Sequence, residues 1–309
     1  MRLAVYVPLL LPLLAWVCAG PLARRLEPRL ATWLLTVAGL LLAASSTAAL
    51  GLLALAGLVR LPLVSALTGY SPQVIARQDP AAWPATAVGA VLLAGAAAAT
   101  LRFAVRRVRA LWAAARDAAC LPGRDPVVIT DDQRAEAYTV PGFPGRIVIS
   151  HGMLAALDPA GHDIVLAHER AHLEHHHYAF VALAQISAAA NPLLRPLAAS
   201  VAFTVERWAD ESAARETGDR RAVAETVARA AVATKRGRTG RLPAAALGVL
   251  GRRPAPGVVP RRVAALLNPA PRSPAHLLVA AVVLVVVSGL GLLDATYDLH
   301  AFLEFAEIR

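Results

Sequence analysis

Apolar residues gather in four long runs along this chain, at 3–19, 31–59, 81–101 and 277–293, with arginine clusters between them. A helix needs about 20 apolar residues to cross a hydrocarbon core roughly 30 Å thick, so the pattern predicts four transmembrane helices. Between the third and fourth runs the periodicity changes. "DPVVITDD", "EAYTVPG" and "GRIVISHG" read as short β-strands bounded by Gly, Pro and Asp turns. From Gly152 onward the spacing is helical over 153–157, 163–190, 197–217 and 220–234, with a break at "NPLLRP". The basic stretch "KRGRTGRLPAAALGVLGRRPAPGVVPRR" predicts a mobile surface loop with one short helix. The expected fold is an α-helical multi-pass membrane protein with a mainly α, α+β domain. Its division is a membrane domain with three helices at 1–101, a domain at 102–275, and a fourth helix with a short tail at 276–309.

Charge gives this picture a direction. The chain is 57% hydrophobic with a formal charge of +10, and flanking Lys and Arg are retained on the cytoplasmic side of a span. Arg24, Arg25 and Arg29 follow the first run; Arg102, Arg106, Arg107, Arg109 and Arg116 follow the third. Both segments are expected in the cytoplasm, with 102–275 as one cytoplasmic domain of a plasma-membrane protein and both termini outside. The arginines then serve as topology anchors at anionic headgroups, and no direct nucleic-acid contact is expected. The first run also has the features of a signal peptide, being short and ending in small residues at "VCAG". Cys18 and Cys120 form no disulfide framework or metal clip and read as buried thiols.

The chemistry is concentrated in "LAHERAHLEHHHYAF", which contains HExxH at 168–172. Residues four apart on a helix lie about 40° from each other, so His168 and His172 can reach one ion. Glu169 beside them is placed to take a proton from water. Alone, the pattern fits a solvated helix face equally well. Two contexts favour a site: the apolar "GHDIVLA" before it, and "FTVERWADESAAR", where Glu206 and Asp210 share a helix face. His168, His172 and Glu206 form a set suited to one zinc per chain, Glu169 serves as general base, and Asp210 can fix the tautomer of a ligand histidine. Glu211 is the rival third ligand. The expected reaction is peptide-bond hydrolysis, Glu169 passing its proton to the leaving amine, with the substrate laid as a strand beside Arg146–Ser150.

"HERAH", "NPLLRPLAASVAFTVERWADESA" and "RRVAALLNP" together resemble the BlaR/MecR family of membrane-embedded gluzincin peptidases, and the HExxH plus ExxxD pair is similar to the Ste/HtpX membrane proteases. The resemblance implies His168, His172 and Glu206 as zinc ligands, Glu169 as base and Asp210 as supporting carboxylate. It also implies a BlaI/MecI-type winged-helix repressor as substrate, with self-cleavage and a homodimer as further expectations. Two departures stand out. Ala209 occupies a position where that family often has Cys, and no SxxK motif follows Leu293, so β-lactam sensing is not expected of this chain.

The remaining polar residues read more plainly. His175, His176 and His177 read as a solvated or membrane-surface cluster, and Glu174 as a surface charge. His151 and His162 stand at element boundaries, and Ser150 lacks the G-x-S-x-G setting of a serine hydrolase. Two rivals to a signalling protease stay open: an HtpX-like quality-control protease, and a non-catalytic membrane scaffold that binds no zinc.

Overall fold

The computed structural model describes residues 3–58, 82–120, 125–142, 145–236 and 257–269, together with separate helical residues between 279 and 297. Helix α1 (Val7–Arg25) and helix α2 (Pro28–Leu58) are separated by Leu26 and Glu27 alone. The Glu27 carboxylate accepts hydrogen bonds from the amides of Arg29 and Leu30 at 3.3 and 3.0 Å, meeting the orphan donors of the first turn of α2. Helix α1 outlasts its apolar run because Arg24 and Arg25, in its last turn, suit the negative end of the helix dipole. Helix α3 (Ala82–Cys120) continues without a break from apolar into basic sequence.

Three of the described helices are long and apolar enough to cross a membrane: α1, α2 over Pro28–Leu55, and α3 over Pro84–Asp117. Of the expected fourth span at 277–293, seven residues lie outside the described residues, and the ten that are described are helical. Ser288, which is described, has its hydroxyl 2.7 Å from that of Ser45 on α2. The cysteines depart from expectation, since both Cys18 and Cys120 are exposed. Cys18 is exposed although its neighbours on α1, Ala15 and Ala19, are packed into the bundle.

The three predicted strands are β1 (Val127–Thr130), β2 (Ala137–Val140) and β3 (Arg146–Ser150). They lie in the order β1-β3-β2, with β1 parallel and β2 antiparallel to β3. Central β3 is buried at all five positions. This corrects the expectation that substrate lies beside Arg146–Ser150: both edges of that strand are already paired.

Ser150 caps α4 (His151–Ala156), accepting from the Met153 amide at 3.0 Å. Asp158 caps α5 (Pro159–Glu174) through the Gly161 amide at 2.8 Å, with Pro159 in the first turn. The helix expected to run from 163 to 190 is two helices. His176 adopts a left-handed conformation, φ 49°, and α6 (His177–Ala190) sets off in a new direction. Apolar periodicity alone does not mark this break. After a short 3-10 turn (Pro192–Leu194) comes α7 (Arg195–Thr217), closed by Gly218 at φ 73°. Helices α8 (Arg220–Arg236) and α9 (Val258–Leu267) complete the described fold.

Two cores hold the middle helices. Leu22, Leu26, Leu42, Val181, Leu197 and Val201 join α1, α2, α6 and α7. Ile164, Ala167, Ala213, Val223 and Leu266 join α5, α7, α8 and α9. Helix α7 belongs to both, so its two ends are fixed by different neighbours.

Candidate metal centre

The apolar stripe of α5, Ile164, Ala167 and Ala171, is buried against α7 and its neighbours. This turns His168 and His172 toward the seam between the two helices. From α7, Val205, Ala209 and Ala213 face inward and leave Glu206 and Asp210 on the face that meets α5. Ligand atoms of His168, His172 and Glu206 all lie within 4.8 Å of one another. The two Nε2 atoms are 3.1 Å apart; the Glu206 carboxylate oxygens lie 3.7 Å from that of His172 and 3.8 Å from that of His168.

Each histidine is held from behind. Asp210 Oδ1 stands 3.1 Å from His168 Nδ1, and His177 Nδ1 stands 3.0 Å from His172 Nδ1. With a proton on each ligand's Nδ1, both Nε2 lone pairs point into one space, the tautomer that metal-binding imidazoles need. Two nitrogens on one tetrahedral zinc are roughly 3.3 Å apart, given Zn–N bonds of about 2.0–2.1 Å. The paired imidazoles and the carboxylate therefore fit a zinc ion in both chemistry and spacing.

Glu169 is buried on the same turn of α5, and the Thr139 hydroxyl donates to its Oε2 at 2.7 Å. Burial pushes the Glu169 carboxyl above its ordinary range, against the opposing pull of His168 and the Thr139 hydrogen bond. Burial likewise drives His172 well below the usual histidine value, assisted by His168. For His168 burial acts downward too, but the Asp210 carboxylate outweighs it and the net shift is upward. Asp210 moves the other way: burial favours its neutral form, yet Arg262 and His168 hold it below the carboxylate range.

Arg262, from α9, supplies that hold. Its Nε and one terminal nitrogen donate to the two Asp210 oxygens at 2.8 and 2.6 Å, and its other terminal nitrogen is 2.7 Å from Glu206 Oε2. A bidentate guanidinium fixes the carboxylate plane as well as its charge. One arginine thus orients both Glu206 and Asp210.

The structure brings together all five residues singled out from the sequence, His168, Glu169, His172, Glu206 and Asp210. Glu211, the rival ligand, points away and pairs with Arg220. The histidine cluster needs correction. His177 is only 1% exposed, and His175 stacks on Trp208 with ring centroids 4.8 Å apart. A new helix begins after the break at His176 and buries His177, while His176 and Glu174 stay exposed as expected. Three contributors were not read from sequence. Thr139 and Arg262 come from distant segments. On an unbroken helix His177 would stand about 140° around from His172, with no helical rule to pair them.

The family model for peptidase family M48 matches residues 104–275, more than half of the chain. No curated protein and no solved structure matches it.

Proposed function

This chain belongs to peptidase family M48, and we propose that it is a membrane-embedded zinc endopeptidase acting on membrane-proximal protein segments. The observation that carries this reading is the convergence of His168, His172 and Glu206 beside a buried Glu169. His168, His172 and Glu206 would hold the ion. Zinc supplies Lewis acidity there, polarising a carbonyl and making water acidic near neutral pH.

The chain's own groups do the rest. Glu169, desolvated and oriented by Thr139, takes a proton from the attacking water and returns it to the leaving amine. Asp210 and His177 keep the two imidazoles in register. Substrate backbone is held along β2. This strand pairs with β3 on one side and with no other strand among the described residues, and its Thr139 already touches Glu169.

We place the active site on the cytoplasmic side by the arginine asymmetry, with 102–275 as the peptidase domain between the third and fourth spans. The BlaR/MecR resemblance supports regulated cleavage of a winged-helix repressor, with self-cleavage as an activating step. A second reading, quality control of membrane proteins, is favoured by the site's position: the residue next to Glu206, Arg207, bonds the Ala23 carbonyl at the end of α1. Proteomics of cells carrying wild type or Glu169→Gln separates the two. One accumulating repressor supports signalling, a spread of accumulating membrane proteins supports quality control, and identical proteomes contradict both.

A further inference from the structure

A groove of about 420 Å³ runs between α2 and α6, with Trp208 at its back. Its wall on α2 is Arg29, Trp33, Val37 and Leu40, positions that recur every three or four residues on one helix face. Phe180 and Leu183 face them from α6. Trp33, Val37 and Leu183 are exposed, at 52%, 44% and 38%, so the outer side of the groove is open. The groove takes no part in the chemistry described above. Trp208, His177 and His172 stand in series between it and the candidate centre, their ring centroids 4.7 and 4.9 Å apart.

Polarity changes from one end of this groove to the other. Arg29 and Glu174 are both exposed at one end, where the Arg29 guanidinium lies 5.7 Å from the Trp208 ring centroid. No salt bridge joins the two, so that end presents one charge of each sign. Toward Leu40 and Leu183 the walls are apolar except for Thr36, whose hydroxyl is buried without a hydrogen-bond partner. The rise from Arg29 to Leu40 is about 16 Å at 1.5 Å per residue, close to half of a hydrocarbon core roughly 30 Å thick. Helix α2 is long and apolar enough to cross a membrane, and Arg29 stands in its first turn. The groove therefore has the depth of one leaflet, with its charged end at the headgroups.

We propose that the groove is a binding site for one molecule of phosphatidylethanolamine. Its phosphate pairs with Arg29 and its ammonium donates to Glu174, so both charges of one zwitterionic headgroup meet their opposites on the protein. An anionic headgroup would set net negative charge against Glu174, and a choline headgroup has no N–H to donate to it. One acyl chain lies along Trp33, Val37, Leu40 and Leu183 and is shielded from water there. Its ester carbonyl gives the Thr36 hydroxyl an acceptor. The lipid also packs against Trp208, which touches His175 and His177, and so supports the residue that orients His172. Lipid binding itself requires neither zinc nor proteolysis.

The full chain, purified in detergent and freed of lipid, is offered phosphatidylethanolamine, phosphatidylcholine or phosphatidylglycerol at equal concentrations and read by native mass spectrometry. Wild type should bind phosphatidylethanolamine about tenfold more tightly than either of the others, the difference that a hydrogen bond to a charged group supports. Glu174→Ala should abolish that preference, and Leu183→Trp should remove the bound lipid by filling the groove. Glu174 is exposed, so its variant tests the site even where Leu183→Trp does not fold. No phosphatidylethanolamine adduct, equal or tighter binding of another lipid to wild type, or an unchanged preference in Glu174→Ala overturns the proposal. Retained binding in folded Leu183→Trp overturns it as well.

Discussion

Glu169 shows how much one residue's surroundings decide. Its carboxyl is desolvated, tied to Thr139, and displaced upward in pKa, which suits a base that must return its proton. Glu169→Gln keeps the shape but cannot accept a proton, so zinc content should match wild type while cleavage of a membrane-protein substrate is lost. Thr139→Val removes one hydrogen bond to a charged group, an effect of about 1.5–3 kcal/mol; kcat should fall at least tenfold at constant zinc content. Arg262 tests the acidic side of the site. Asp210 is held below its ordinary range, so its pairing stabilises the fold above the unfolded pKa of about 3.9, and that contribution fades as pH falls through the lower folded value. Arg262→Gln leaves a buried carboxylate unpaired, at a cost of about 3–5 kcal/mol. Denaturation midpoints at neutral pH should drop clearly below wild type, and the gap should narrow at about pH 3.5. The five residues His168, Glu169, His172, Glu206 and Asp210 were legible in the sequence because helical spacing puts His168 with His172 and Glu206 with Asp210 on one face each, and the apolar flank and the family resemblance favoured a site over a solvated face. Thr139, His177 and Arg262 were not, because their roles depend on a strand order, a helix break and a contact between residues 52 positions apart.

Elements were legible where local chemistry marks them. The β-branched runs and their Gly, Pro and Asp flanks located all three strands, but the central place of β3 comes from a non-local pairing that alternation cannot report. Asp158 illustrates the same limit at a helix end. The apolar period of α5 suggests a start at 163, whereas the cap, Asp158 with Pro159 behind it, sets the start earlier. Asp158→Ala should lower the denaturation midpoint, and Asp158→Asn should recover most of the loss; both are read from chemical denaturation of the purified protein. The break at 175–176 carries no glycine or proline. It exists because folding α6 back along α2 and α3 buries Phe180, Val181 and Ala184, a gain that tertiary packing supplies and local propensity does not.

At the scale of the whole molecule, the apolar runs predicted four spans, three of which correspond to described helices long and apolar enough to cross a membrane, and charge asymmetry supplied the expected orientation. With Cys18 and Cys120 changed to serine, a membrane-impermeant maleimide should label Ala160→Cys in inverted vesicles and not in intact cells, as the arginine asymmetry predicts; the opposite pattern would place the catalytic side outside. The central claim is that α5 and α7 meet to bind one catalytic ion, and metal analysis of purified protein tests it most directly. Wild type and Glu169→Gln should each carry about one zinc per chain, as a His2Glu site demands, while His168→Ala, His172→Ala and Glu206→Ala should each lose it. Stoichiometric zinc in the three ligand variants, or none in wild type after zinc loading, would contradict the account.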